Sequence, residues 1–366
     1  MDFFLLLNCF LCLIFTLTIL RFLLPRTPAG KLPPGPARLP IIGNLHNLGL
    51  KPHISLADLA KVHGPLMTLK LGQVTTIVAS SPALAKEILQ KHDKVLSDRH
   101  GILAMEVLDT HKFALPLLPV GPKWRNVRKV CNSYVFATQK LDLNQGLRRE
   151  KIIEVLEGVR RNASEDLFVA GTDTTASSLE WAMAELLRNP DKLVKAKNEL
   201  DEMIGKGNHL AESDIPQLPY LRAILKETFR LHPALPLLLP RKAGADVEIN
   251  GFTVPKGARV LLNLWAIGRD PAIWDDPTSF VPERFLGSDV DAKGNYFELV
   301  TFGAGRRICP GMPLALRMLH MMLGSLIHWF DWKLSDGVEP EKLDMEEKFG
   351  IALQKAKPLL AIPTPI

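Results

Sequence analysis

One cysteine stands where a metal ligand would. Phe302-Gly303-Ala304-Gly305-Arg306-Arg307-Ile308-Cys309-Pro310-Gly311 holds Cys309 among three glycines and beside two arginines, just before a helical run. Gly303, Gly305 and Gly311 remove the Cβ atoms that would block a close approach, so backbone N–H groups can surround a sulfur. Arg306 and Arg307 can pair with the carboxylates of a bound group. A cysteine taken at random is a small buried hydrophobe. Here Phe302, Gly305, Arg307, Cys309 and Gly311 fit a single pattern, Phe-x-x-Gly-x-Arg-x-Cys-x-Gly, and that argues for a ligand. A lone thiolate suits haem iron, where its electron push favours O–O cleavage.

Three further groupings carry chemistry. Ala170-Gly171-Thr172-Asp173-Thr174-Thr175 lies in a long helical stretch. Gly171, Thr174, Thr175, Ser178 and Ala182 fall on one face of that helix, and all are small. Such a stripe serves close helix packing, or leaves room for a flat group. Gly171 and Thr174 can also loosen the backbone ladder enough to admit a water or dioxygen. Trp124 and Arg128 lie one turn apart on one face of a second helix. Glu227 and Arg230, three apart on a third, can form an intrahelical ion pair. Arg284 follows in Pro282-Glu283-Arg284-Phe285.

In this order and wording these segments resemble the cytochrome P-450 monooxygenases. Leu167 to Thr175 and Glu180 to Leu187 look most like the plant microsomal group that includes geraniol hydroxylases and relatives acting on terpenoids and phenolics. The resemblance implies haem b with Cys309 as axial ligand. It implies that Phe302, Gly303, Gly305, Gly311 and Gly171 shape the cofactor's seat, and that Trp124, Arg128, Arg241 and Arg307 meet its propionates. Thr174 would hydrogen-bond the oxygen being activated. Asp173 would help deliver protons, through water, because helix geometry turns it away from the small stripe. Glu227, Arg230 and Arg284 would form a buried structural network. The implied partners are an NADPH–cytochrome reductase, dioxygen, a small lipophilic substrate and membrane lipid.

The chain departs from that family in one respect. Between Trp124 and Ala170 it is shorter by roughly a hundred residues or more, a large part of a domain. The junction falls between Glu157 and Asp166. The absent part would be the middle helices that roof the substrate pocket, and a site without them would leak protons and reducing equivalents. A chain shortened in this way is expected to bare apolar surface. Two readings follow: a working monooxygenase, or an inactive shortened relative that still binds haem. Asn162-Ala163-Ser164 matches a glycosylation sequon that should stay unused on the cytosolic side.

The elements that must position these residues are mostly helical. Of 366 residues 47% are hydrophobic, which supports a sizeable core, and the net charge is only +6. No basic run with interleaved aromatics occurs, so nucleic acid is excluded as a partner. Four cysteines, Cys9, Cys12, Cys131 and Cys309, make no disulfide framework. Phe3 to Leu20 carries no charge, and Arg21, Arg26, Lys31 and Arg38 all follow it. That pattern predicts an uncleaved single-pass anchor over residues 1–24 and a cytosolic body at the endoplasmic reticulum. Residues 25–40, with Pro33-Pro34-Gly35-Pro36, form a stiff hinge. Residues 41–366 form the haem-thiolate domain, shortened near 157–166.

Within that domain the patterning predicts helices at 53–62, 81–91 and 122–134, an almost unbroken helical run over 145–189, and helices at 191–204, 220–231 and 310–328. It predicts hairpins at 66–79 and 247–254, a strand at 259–264 and two short strands within 350–362. The fold class is therefore mainly α with a small β portion, the cytochrome P-450 fold with an internal truncation and an N-terminal transmembrane helix. Gly101–Pro119, Ala234–Leu239 and Phe349–Leu353 are the expected pocket segments.

Overall fold

The computed structural model describes residues 3–23, 31–99, 112, 114–161, 173–350 and 352–366. Gly171, the Asn162 sequon, most of the 101–113 loop and the 162–166 part of the junction lie outside these residues.

Helix α1 is Phe3–Leu23. The side chains described in it, Phe4 and residues 7–16, are exposed. Among the described residues no helix is long and apolar enough to cross a membrane. Past the prolines the chain turns sharply. Leu39 and Gly43 exchange backbone hydrogen bonds of 3.0 Å, and Ile41 at the tip has φ +65°, a left-handed conformation rare for a β-branched residue. Buried Asn44 locks this turn onto the sheet, donating to the Ala37 carbonyl at 2.9 Å and accepting from the Lys70 N–H at 2.8 Å. A Cβ on Gly43 would stand 2.0 Å from the Lys70 carbonyl oxygen. Leu39, Ile41, Ile42 and Leu45 are left facing water.

Helix α2 (Pro52–His63) starts on a proline and stops at Gly64, φ +94°. Strands β1 (Leu66–Leu71) and β2 (Val74–Ala79) pair antiparallel across Gly72, with Leu66 opposite Ala79. Ser81 caps α3 (Pro82–Lys86) by accepting from the Leu84 N–H at 3.4 Å. One π-helical turn (Glu87–Lys91) leads on to α4 (Asp93–Leu96) and β3 (Asp98–Arg99). Helix α5 (Pro122–Val130) also ends in a π turn (Cys131–Val135), and α6 (Thr138–Leu143) and α7 (Gln145–Arg161) follow.

The helical core comprises α8 (Asp173–Arg188), α9 (Pro190–Ile204) and α10 (Pro219–Leu231). Pro190 ends α8 and opens α9, since a proline fits only the first turn of a helix. Next come β4 (Arg241–Lys242), the hairpin β5 (Val247–Ile249) and β6 (Phe252–Val254), β7 (Arg259–Leu262) and α11 (Leu264–Ile267). The strand expected to run to Leu264 stops at Leu262, because Asn263 caps α11 through the Ala266 N–H at 3.1 Å. Helix α12 is Met312–Trp329. Strands β8 (Phe330–Leu334), β9 (Glu347–Lys348), β10 (Gln354–Lys355) and β11 (Ala361–Pro365) complete the chain.

The larger sheet has the order β1-β2-β7-β4-β3, with β2 and β7 parallel. In the tail β10 pairs with β9 and β11 with β8. Helix α8 packs on α12, α10 and α9 around Leu179, Leu186, Leu221, Ile224 and Leu323. A second cluster, with Ile77, Ile88, Val260 and Leu262, joins the sheet to α3.

Behind these layers Glu227 and Arg230 are fully buried. Arg230 grips both oxygens of Glu227, at 2.7 and 2.6 Å, and Arg284 adds a bond of 3.1 Å. The remaining guanidinium N–H groups of Arg230 donate to the carbonyls of Gly268, Pro277 and Ser279. A buried ion pair persists only when its other hydrogen bonds are satisfied, and these are.

Candidate haem site

The Cys309 loop, α8, α12 and the stretch after α10 enclose a cavity of about 580 Å³. The loop itself is a tight hydrogen-bonded unit. The Cys309 N–H donates to the Phe302 carbonyl at 2.9 Å and the Gly303 N–H to the Val300 carbonyl at 2.8 Å. Gly303 and Gly305 have φ +69° and +66°. A Cβ on Gly305 would lie 2.2 Å from the Leu89 carbonyl oxygen and 2.9 Å from the Asp93 carboxyl, so only glycine fits. At Gly311 the need is weaker. Its backbone is ordinary, and a Cβ would meet the Phe136 ring at 3.7 Å and the Cys309 sulfur at 3.9 Å.

The Cys309 sulfur borders the cavity, half-buried. Burial pushes its thiol up, while the N–H groups of Gly311 and Met312 and the charge of Arg128 pull the other way. The sulfur therefore already has donors aimed at it, and a metal cation alongside would draw off the proton outright.

One side of the cavity is strongly cationic. Arg99, Arg128, Arg241 and Arg307 all line it. Strand pairing places Arg99 opposite Arg241. Burial, then repulsion from Arg241 and Arg307, pulls Arg99 down to about 9. Burial, then Arg241, pulls Arg307 down to about 10. Asp93 and Asp98 are the carboxylates that offset these charges. Asp93 meets Arg241 at 3.4 Å and Arg306 at 2.8 Å. The guanidiniums along this wall outnumber the carboxylates Asp93 and Asp98, an excess that suits a group carrying carboxylates of its own, as haem b does. The sulfur, the cavity and this charge excess fit the cofactor. Trp124 is buried with the Arg307 guanidinium 4.9 Å from its ring centre. Arg128 donates to the Ile308 carbonyl, at 2.5 Å, inside the cysteine loop.

Helix α8 presents Thr174, Thr175 and Ser178 to the cavity. Asp173 is exposed at the start of α8 and does not line it. Of the expected pocket segments, Leu115 and Pro116 contribute, as do Ala234, Leu235, Leu238 and Leu239. Phe349, Ala352 and Leu353 do not: Phe349 stacks on His53, and Leu353 is fully buried against α8. Sequence reasoning missed Arg99, Phe136, Met318 and Met322, which also line the cavity. Arg99 gave no local signal, since only its register against β4 brings it to the site.

The Cytochrome P450 family model matches residues 33–166 and 156–362, two pieces that overlap at 156–166. Geraniol 8-hydroxylase of Catharanthus roseus is 40% identical in an alignment 490 residues long, covering 98% of this chain and 99% of that protein. The Swertia mussotii geraniol 8-hydroxylase is 41% identical over 483, covering 96% and 98%. Drimenol monooxygenase of Persicaria hydropiper is 36% identical over 471, covering 93% and 94%. A 366-residue chain spans an alignment of 490 only by leaving more than 120 positions empty. A solved zebra fish cytochrome P450 structure with progesterone superposes with a TM-score of 0.74 at 23% identity, over 87% of this chain and all of that one, and so shares the fold. From the family match and these relatives, the chain belongs to the cytochrome P450 family, oxidoreductases of the monooxygenase type with haem iron as cofactor.

Proposed function

We propose that the chain holds haem b through the Cys309 thiolate and hydroxylates a small lipophilic plant metabolite, a terpenoid or a phenolic. Electrons come from NADPH through a cytochrome reductase. Bound there, haem supplies dioxygen activation, so that one oxygen atom enters a C–H bond and the other leaves as water. The observation that carries this reading is one cavity bordered by Cys309, by four arginines and by Thr174.

Each group has a task in that reading. The N–H groups of Gly311 and Met312 stabilise charge on the sulfur. Arg99, Arg128, Arg241 and Arg307 neutralise the propionates. The Thr174 hydroxyl holds a proton at the cavity. Asp173, in contact with water, resupplies it through solvent. Leu115, Leu235, Leu238 and Leu239 form an aliphatic wall that favours a lipophilic substrate. Residues 1–24 act as an anchor in the endoplasmic reticulum membrane, a reading supported by the uncharged run Phe3 to Leu20 and the basic residues after it, with 25–40 as hinge and 41–366 as the cytosolic domain.

A second reading, favoured by the more than 120 empty aligned positions, is a chain that binds haem and turns over poorly. The two-piece family match supports a junction at 157–166. Two measurements test these readings. Reduced protein under carbon monoxide should show the red-shifted Soret band of thiolate ligation, absent in Cys309→Ala; the band surviving in that variant would sink the assignment. Product formed per NADPH on a terpenoid alcohol panel should be low beside a version carrying the restored segment. Equal coupling in both would rule out the second reading.

A further inference from the structure

Helix α8 touches two different things on neighbouring stripes. Thr174, Thr175 and Ser178 line the cavity. Ser177 and Trp181 turn inward, 4% and 0% exposed. Their donors converge on one acceptor. Ser177 Oγ lies 2.6 Å and Trp181 Nε1 3.4 Å from the Leu353 carbonyl oxygen, whose two lone pairs can accept both. Leu353 is itself fully buried, and its N–H donates to the Ala234 carbonyl at 2.8 Å. Ala234 and Leu235 are cavity wall.

This wall depends on ties from outside. Pro233 and Pro236 have no N–H to offer, and Leu238 sits at φ +49°. The Pro236 carbonyl is held by the Leu264 N–H at 2.8 Å and the Leu239 carbonyl by Arg99 at 2.7 Å. At Ala234 the tie runs through Leu353 to α8. Trp181 is fixed by His232, stacked at 3.9 Å, and by Lys355 over its ring. It holds the longer of the two bonds, so the Ser177 hydroxyl is the principal tether of the Leu353 carbonyl.

We propose that Ser177 is a specificity-determining positioning residue: through Leu353 it sets where the Ala234–Leu235 wall stands relative to α8, and so what size of molecule the cavity accepts. The clause about occupants rests on the haem-monooxygenase reading; the tether does not.

The test uses the full chain with Ser177→Ala, Ser177→Thr, which keeps a hydroxyl, and Ser325→Ala, which removes a buried hydroxyl on α12. Amide exchange, measured with and without haem, should quicken in Ser177→Ala in the peptides covering both 349–356 and 234–240. In haem-loaded protein, the ratio of dissociation constants for 4-phenylimidazole and imidazole, read from the Soret shift, should change by about threefold or more, the effect expected for losing part of one hydrogen bond. Ser177→Thr and Ser325→Ala should keep the wild-type ratio. Faster exchange confined to 349–356 with an unchanged ratio would overturn the proposal. So would an equal change in Ser177→Thr or Ser325→Ala. If no variant gives a Soret response to imidazole, the haem reading fails, and the exchange in the two peptides alone decides for or against the tether.

Discussion

At Gly305 a single methyl group decides whether the cysteine loop can close. The added carbon would stand 2.2 Å from the Leu89 carbonyl oxygen, in backbone at φ +66°. Gly305→Ala is therefore expected to cost on the order of 1–3 kcal/mol in strain, seen as a lower urea midpoint. It should also lower haem content, measured by the pyridine haemochrome assay. A variant with wild-type midpoint and full haem would show that the loop does not need this contact. At this scale the sequence was most legible where residue type and short spacing coincide. Cys309 and Arg307, singled out by the glycine-rich pattern, line the cavity, and so do Trp124 and Arg128, which the family resemblance placed there. Arg99 was not legible, because its neighbour at the site is 142 positions away and is reached only through β-pairing. Gly311 was read as a steric necessity, and its surroundings make it merely convenient.

Between elements the chief tie is Glu347 on β9. It accepts from His53 of α2 at 3.0 Å and from Trp265 of α11 at 3.2 and 3.1 Å, and it lies 3.5 Å from Arg269 and 3.8 Å from His232 at the end of α10. Burial pushes its carboxyl up, but the two imidazoles and the Arg269 charge outweigh that and hold it well below the usual carboxylate range. A folded-state value below the unfolded one means stability that is present above the unfolded pKa and lost as pH falls. The window thus opens below about pH 4.3. Glu347→Gln should cost on the order of 1–3 kcal/mol near neutrality and flatten the acid limb of a urea-midpoint-against-pH curve. Parallel limbs for the two proteins would show that Glu347 does not carry this linkage. Little of this was legible. The hairpin β1–β2 and helices α9 and α10 follow from alternation, helical period and proline boundaries. β9 and β10 are two residues each, too short for any period to show.

Over the whole molecule, the helices before residue 162 show a mixed surface. Val130, Tyr134, Val135, Leu143 and Leu147 are exposed. Yet α7, the last described helix before the junction, turns Glu150, Lys151, Glu154 and Glu157 to water. It also buries Ile152, Leu156 and Val159 in the helical core. Arg148 and Arg317 clasp Glu212 at 2.7 and 2.8 Å, pinning α7 to α12. The helix therefore docks on its own side chains. The turn around Ile41 has a practical consequence for anyone purifying the protein. Four aliphatic side chains stand outward there on a buttress formed by Asn44 and Gly43, beyond α1 in sequence. Deleting the first thirty residues leaves them in place, so that shortened preparation should still need detergent and sediment as an aggregate without it. Changing Ile41 and Ile42 to aspartate in the same deletion should yield a detergent-free monomer by analytical ultracentrifugation. If the deletion alone runs as a monomer in plain buffer, the patch is too small to drive association.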